Sequence, residues 1–275
     1  MEKKNFLRTP QTSFNLLPLL FAFLLLGCEP EVGVENESTQ ADLTITKAKD
    51  KAEKLTTYKG PAVSFFKGVA QAMVSMNHEG EPHSIGFRFS ERSLDNLPMQ
   101  MDVISLKLPG QAEGLAFDHI DVGWMPNGHF PPGIFDIPHF DIHFYMVSHE
   151  EKMQINDGAK AAFLPPAEFR PPFYVPTDGY ELYMGKHWIN VLSPEFQGST
   201  FTHTFIYGSY DGEFIFYEPM ITRDFLMEKT SGQYPITQPA NFQRTGYYYP
   251  TLYSINYDAT RKEYTVLLEG MVYRE

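Results

Sequence analysis

The sequence predicts a mainly β protein, an antiparallel barrel-like or sandwich domain with few short helices, and three observations predict it. Aromatic residues make up 15% of the 275-residue chain, an enrichment that suits pleated, half-buried surfaces. Twenty glycines and 21 prolines punctuate it at short intervals. Stretches with the 3.6-residue period of an amphipathic helix are scarce, whereas short apolar runs bounded by turn residues recur.

The elements follow from these signals. Val69 to Asn77 and Ser84 to Ser90 read as the strands of a hairpin, because His78-Glu79-Gly80-Glu81-Pro82 between them is rich in breakers. Ser90 to Leu97, ending before Pro98, is a candidate helix. Met101 to Leu108, Leu115 to Trp124 and His139 to Val147 read as further strands. A helix starts after Ser148, where Ser148-His149-Glu150-Glu151 has the Ser-x-x-Glu form of a capping box. Thr202 to Tyr207 and Glu213 to Tyr217 flank Gly208 to Gly212, whose Asp-Gly pair favours positive φ in a hairpin turn. Tyr253 to Tyr257 and Tyr264 to Tyr273 repeat the pattern around Asp258 to Lys262. Eight or more strands at this spacing make a sandwich or a barrel.

The amino terminus has a different character. Lys3, Lys4 and Arg8 precede an apolar run from Leu16 to Leu26, and Leu25-Leu26-Gly27-Cys28 closes it. This order resembles a bacterial lipoprotein signal, in which Cys28 becomes the lipidated first residue of the mature chain. Cys28 is the single cysteine of the sequence, at the one position where such a signal requires it. The apolar run is too short to span a hydrocarbon layer of about 30 Å. Residues 1–27 are therefore expected to be a signal peptide, residues 28–59 a charged tether and residues 60–275 one β-rich domain. The acidic stretch after Cys28, with Glu29, Glu31, Glu35 and Glu37, reads either as a solvated linker or as a surface-export signal, so both a periplasmic and a cell-surface location fit.

Charge and cysteine content exclude whole classes. Residues 1–27 carry Glu2 against Lys3, Lys4 and Arg8, so removing that net +2 takes the formal charge from −12 to −14. An acidic chain of this kind is no nucleic-acid binder, since such binding depends on neutralising phosphates with Lys and Arg. With Cys28 acylated, thiolate metal sites, disulfides and cysteine catalysis are all excluded. Any metal must be held by nitrogen and oxygen.

The most informative stretch joins Trp124-Met125-Pro126-Asn127-Gly128-His129 to Pro138-His139-Phe140-Asp141-Ile142-His143-Phe144-Tyr145. Read as a strand, the second segment turns His139, Asp141, His143 and Tyr145 to one face and Phe140, Ile142 and Phe144 to the other. One face suits a core, and the other suits a site that lines a barrel or opens to water. Neighbours two apart lie about 6.8 Å apart at Cα and can share one ion, whereas positions four apart lie about 13–14 Å apart and converge only if the strand bulges or coils. Asp141 therefore pairs naturally with His139 or His143, and His129 arrives from a Pro-Asn-Gly loop that can fold over them. Two readings are open: metal or proton chemistry, or an aspartate that orients a histidine by hydrogen bonding while the other histidines lie at the surface.

Other features carry less. Met73, Met76, Met99 and Met101 could be soft copper(I) ligands, but methionine is mainly a core filler. Tyr247-Tyr248-Tyr249 reads as a sugar-stacking platform or, more simply, as an aromatic sheet edge or subunit contact. His78, His83, His119, His149 and His203 show no partner spacing that sets them apart. The sequence contains no Gly-x-Ser-x-Gly elbow, phosphate loop or dinucleotide fingerprint.

The two histidine blocks, with Gly185-Lys186-His187-Trp188 and the segment Tyr207 to Met220 (Tyr-Gly-x-Tyr-Asp-Gly-x-x-x-Phe-x-Glu-Pro-Met), resemble a family of bacterial envelope proteins of unknown function. The resemblance runs over most of residues 60–275. It implies a β-rich fold, assembly into homo-oligomers and a shared polar site, with no established activity. Within it His187 and Glu218 become the next candidates, Glu218 because it ends a hairpin strand just before Pro219. Arg223 and Asp224, which follow, read better as a surface ion pair or a helix start.

The expectation is a lipid-anchored extracytoplasmic domain that binds one divalent metal, zinc, iron, manganese or copper, through His129, His139, His143, His187 and Glu218. Asp141 and Tyr145 would orient the ligands, or Asp141 would bind directly. An open coordination position would acidify bound water and permit hydrolytic or isomerising chemistry on a small molecule that the sequence does not name. The competing expectation is a non-catalytic ligand-binding or assembly module whose histidines only hydrogen-bond.

Overall fold

Alternation of apolar and polar side chains, broken every eight to twelve residues or so by Gly, Pro, Asn or Asp, makes strands that bury one face. The computed structural model describes residues 54–275; the expected signal peptide over residues 1–27, Cys28 and residues 28–53 of the expected tether lie outside the described residues. The first strands are β1 (Thr56–Phe65), β2 (Gly68–Met76), β3 (Pro82–Ser90), β4 (Asp102–Lys107) and β5 (His119–Met125). They are followed by β6 (His139–Tyr145), β7 (Tyr174–Pro176), β8 (Lys186–Asn190), β9 (His203–Tyr210) and β10 (Glu213–Thr222). The last are β11 (Gly232–Pro235), β12 (Tyr247–Tyr249), β13 (Leu252–Asp258), β14 (Glu263–Glu269) and β15 (Val272–Arg274). The described residues also form three short α-helices: α1 (His149–Lys152), α2 (Gly158–Ala162) and α3 (Arg223–Met227).

Six strands form one antiparallel sheet in the order β1-β2-β3-β14-β13-β11, and seven form a second in the order β4-β5-β6-β10-β9-β8-β7. A small ribbon pairs β12 with β15. Both large sheets keep two free edges, so the fold is a sandwich and the barrel alternative is not realised. The edge strand β7 shows why closure fails: it is three residues long and ends in Pro176, which has no N–H to offer a further neighbour.

The main core fills the space between the sheets. Phe65, Val74, Ile85, Phe87, Val266 and Leu268 come from the six-stranded sheet, and Leu106, Ile120, Val122, Phe140, Ile142, Phe144 and Ile221 from the seven-stranded one. Complete burial of a side chain such as Phe144 contributes roughly 1.5–3 kcal/mol.

Local chemistry behaves largely as the sequence suggests. Asp211 and Gly212 both take positive φ in the two-residue turn between β9 and β10, the conformation that an Asp-Gly pair favours. The Ser148 capping box forms in full, with Glu151 N–H donating to Ser148 Oγ and Ser148 N–H donating to Glu151 Oε2 at 2.8 Å. Arg223 does start a helix, capped by the Thr222 hydroxyl.

Four elements differ. The strand β1 begins ahead of residue 60, because its sparse, mostly exposed pattern hides its pairing with β2. Ser90 to Leu97 yields only a 3₁₀ turn over Glu91–Leu94, too short a segment to propagate a helix before Pro98. The predicted strand from Leu115 begins only at His119. The expected strand Tyr264 to Tyr273 divides at Gly270, whose φ of +64° turns the chain into β15. Among the described residues no helix is long and apolar enough to cross a membrane.

Candidate metal centre

The site face belongs to the seven-stranded sheet. Phe140, Ile142 and Phe144 of β6 enter the main core, which by alternation turns His139, Asp141, His143 and Tyr145 to the outer face. The same alternation in β5 places His119 and Asp121 outward, opposite Ile120 and Val122. In β10 it places Phe216, Glu218 and Met220 outward, opposite Tyr217 and Ile221.

This outer face neither lines a barrel nor opens to water, as the sequence suggested it would. Every residue of β6 is buried. Loops cover it with apolar side chains: Phe135 and Phe201 pack with Ile206 and Met220, and Ile155 packs with Tyr145, Ile215 and Phe216. The polar groups are thus roofed by hydrophobic contacts.

Two sets of side chains whose chemistry could hold a metal ion form there, each with two histidines and one carboxylate: His129, His139 and Asp141, and His143, His187 and Glu218. Within each set the ligand atoms lie within 4.8 Å of one another. The five expected ligands therefore do not share one shell, because the pleat carries His139 and His143 apart and no bulge brings them back. Asp141, expected chiefly as an orienting residue, stands at the centre of the first set.

In the first set the tautomers are decided by backbone carbonyls. His129 Nδ1–H donates to Phe130 O at 2.8 Å, and His139 Nδ1–H donates to Ile137 O at 2.7 Å. Both Nε2 atoms consequently face Asp141, from His129 to Oδ2 at 3.3 Å and from His139 to Oδ1 at 3.0 Å. With Nδ1 holding the proton, a neutral imidazole presents a lone pair at Nε2, and a lone pair beside a carboxylate requires positive charge between them. Burial disfavours the charged form of Asp141, yet the two adjoining imidazoles outweigh it and hold the carboxyl well below the usual carboxylate range. Burial likewise opposes charging His129, and contact with Asp141 overcomes it and raises its pKa. His129 alone retains access to solvent, with 37% of its side-chain surface exposed.

The second set spans three strands. His143 Nε2 lies 3.4 Å from Glu218 Oε1, and His187 Nε2 lies 3.6 Å from Glu218 Oε2. His187 reaches from β8 across β9, where its register partner is Gly208. Burial pushes His143 down to about 4, and burial followed by the neighbouring His143 pushes His187 down to about 3. Glu218 is raised well above its usual range by burial and then by the charge of Asp141. Tyr145 hydrogen-bonds no member of either set; its ring stacks on His143 at 5.5 Å and its hydroxyl donates to Tyr183 O.

A third polar pair was not anticipated. His119 Nδ1–H donates to Asp118 Oδ1 at 2.9 Å, its ring stacks on that of Tyr145, and its Nε2 lies 3.8 Å from Asp121. Asp121 is paired with Lys152 from α1. The signal was available: His119 and Asp121 alternate with Ile120 and Val122 as His139 and Asp141 do with Phe140 and Ile142. His203, also passed over, sits half-buried against Tyr253, whereas His78, His83 and His149 are exposed. Of the methionines considered for copper(I), Met99 and Met101 are largely exposed. Tyr249 is buried while Tyr247 is exposed, so the three tyrosines present no common flat face.

Among the described residues, seven buried side-chain nitrogen or oxygen atoms have no hydrogen-bond partner. Six of them belong to this face: His119 Nε2, Asp121 Oδ1, His139 Nε2, Asp141 Oδ1, His143 Nε2 and Glu218 Oε2. Unsatisfied buried groups are costly, and six of the seven gather on this one face.

A family model described as TTHB210-like, hypothetical protein TTHB210, matches residues 77–124. That segment contains His119 and Asp121 and stops short of both ligand sets. No curated protein and no solved structure matches the chain.

Proposed function

We propose that this domain binds a divalent first-row metal through His129, His139 and Asp141. The observation that carries the reading is the pair of Nδ1–H bonds to Phe130 O and Ile137 O, which leaves two Nε2 lone pairs converging on one ionised carboxylate. Protons can supply the positive charge needed there, but a divalent ion satisfies all three groups at once. Backbone acceptors that fix the ligating nitrogen are the usual outer support of a metal-bound histidine. Two imidazoles and a carboxylate suit zinc, iron, manganese or copper.

Burial of His139 and Asp141 confines access to the side of His129. A metal held for structure or for exchange suits that closure, and any chemistry is limited to water or another small molecule that reaches the ion beside His129. Lipid attachment at Cys28, location in the bacterial envelope outside the cytoplasm and assembly into homo-oligomers belong to the same proposal and rest on the sequence resemblances.

The test is metal analysis of the purified full chain by mass spectrometry beside His139→Ala and Asp141→Asn. Bound ion that falls by one per chain in both variants supports the centre; protein that binds no ion after exposure to zinc, manganese, iron(II) and copper refutes it. For the anchor, Cys28→Ser should move the protein from the membrane fraction to the soluble one.

A further inference from the structure

We infer that His143, His187 and Glu218 form a second divalent-metal centre, so that a fully loaded chain holds two ions. The inference deepens the proposed function and rests on it in treating a His-carboxylate-His set as ligands. It stands, however, on its own residues, since the two sets share no side chain.

Distance separates the possibilities. Glu218 lies 3.4 Å from His143 and 3.6 Å from His187, and the second separation is beyond a side-chain hydrogen bond. Two ligands held about 2.0–2.2 Å from one ion stand about 2.8–3.1 Å apart at octahedral angles and about 3.3–3.6 Å apart at tetrahedral ones. Each Glu218 oxygen thus stands at a tetrahedral co-ligand spacing from one imidazole, and the ligand atoms of the set all lie within 4.8 Å of one another. Neither His143 Nε2 nor Glu218 Oε2 has a hydrogen-bond partner, and both residues are almost fully buried.

The surrounding fold is shaped to hold these groups together. His143 comes from β6, Glu218 from the adjacent β10, and His187 from β8 on the far side of β9. Gly208 of β9 leaves the intervening position without a side chain, and the Phe216 ring fills it, 4.8 Å from the His143 ring and 5.4 Å from that of His187. Asp141 and His143 are alternate residues of one strand, about 6.8 Å apart at Cα, so the two centres are neighbours on one wall.

The test is titration of the chelator-stripped full chain with cobalt(II), counting bound metal after desalting and following the visible absorption that reports coordination. Wild type should bind two ions per chain, and Glu218→Gln and Asp141→Asn should each bind one, with different spectra. One ion in wild type that survives Glu218→Gln overturns the second centre and leaves the first standing. One ion lost in Glu218→Gln but kept in Asp141→Asn overturns the count of two and moves the centre to the second set. Loss of both ions in folded Glu218→Gln means one shared centre, which also overturns the inference; no ion in wild type sinks the proposed function with it. Should Glu218→Gln fail to fold, His187→Gln, at a partly exposed position, must reduce the count to one, and two ions there overturn the inference.

Discussion

Gly208 lies beneath the ring of Phe216: a methyl group at position 208 would fall 1.9 Å from the ring's outermost carbon. The two residues are register partners across β9 and β10, and the same ring packs against His143 and His187. The geometry of the second ligand set therefore depends on a missing side chain on a neighbouring strand.

Gly208→Ala is expected to displace that ring and destabilise the fold by about 1–3 kcal/mol, the range for overpacking a filled interior. Urea denaturation measures the loss. Cobalt(II) uptake at the second set should weaken while uptake at His129, His139 and Asp141 persists; an unchanged midpoint would show that the ring has room to move.

Removing the counter-charge of a buried carboxylate should cost more. Lys152 pairs with Asp121, whose pKa is lowered because this contact and that of Ser105 outweigh its burial. Lys152→Met leaves Asp121 buried without its lysine counter-charge, and breaking a buried pair typically costs about 3–5 kcal/mol. The double variant with Asp121→Asn should recover much of the loss, and equal destabilisation of single and double variants would show that packing of the lysine stem, not charge, is at stake.

Burial among Phe225, Tyr234 and Tyr253 pushes His203 down to about 4 from an ordinary value of 6.5. On acidification the unfolded chain takes up this proton before the folded one does. Stability is therefore fully present above about pH 6.5 and falls as the pH drops toward about 4, where the loss levels off. Thermal melts of wild type and His203→Gln across that window should show the steeper decline in wild type; parallel curves would remove His203 as a source of acid sensitivity. Other buried histidines are common to both proteins and cancel in the comparison.

Metal should stabilise the fold by mass action. At a free ion concentration 100 times the dissociation constant, one site adds about 2.7 kcal/mol. Chelator treatment of the loaded protein should lower the melting temperature, and readdition of the ion should restore it. The shift should shrink in Asp141→Asn. A melting temperature indifferent to chelator in protein shown to carry metal would mean that the ion binds folded and unfolded chains alike.

How much of this was legible in the sequence differs between levels of structure. The period of two in His139 to Tyr145 separates the core face from the polar face, because adjacent side chains of any strand point to opposite sides. The Asp211-Gly212 turn and the Ser148 cap were legible for the same reason, since their geometry is set within a few residues. His119 and Asp121 obey the same rule, and their His-x-Asp spacing repeats that of His139 and Asp141.

Local pattern was therefore enough for the β-rich class, the hairpins, the caps, and which residues of each strand turn from the core. Packing of distant segments was needed to leave the sheets open as a sandwich, to roof the polar face with loops, and to divide the five expected ligands plus Asp141 into two sets. The partnership of His187 with Glu218 depends on the order β6-β10-β9-β8, and that of His129 with Asp141 on how a loop folds back over β6. Those are contacts between residues distant in sequence, selected by burial of the whole molecule, and no local periodicity encodes them.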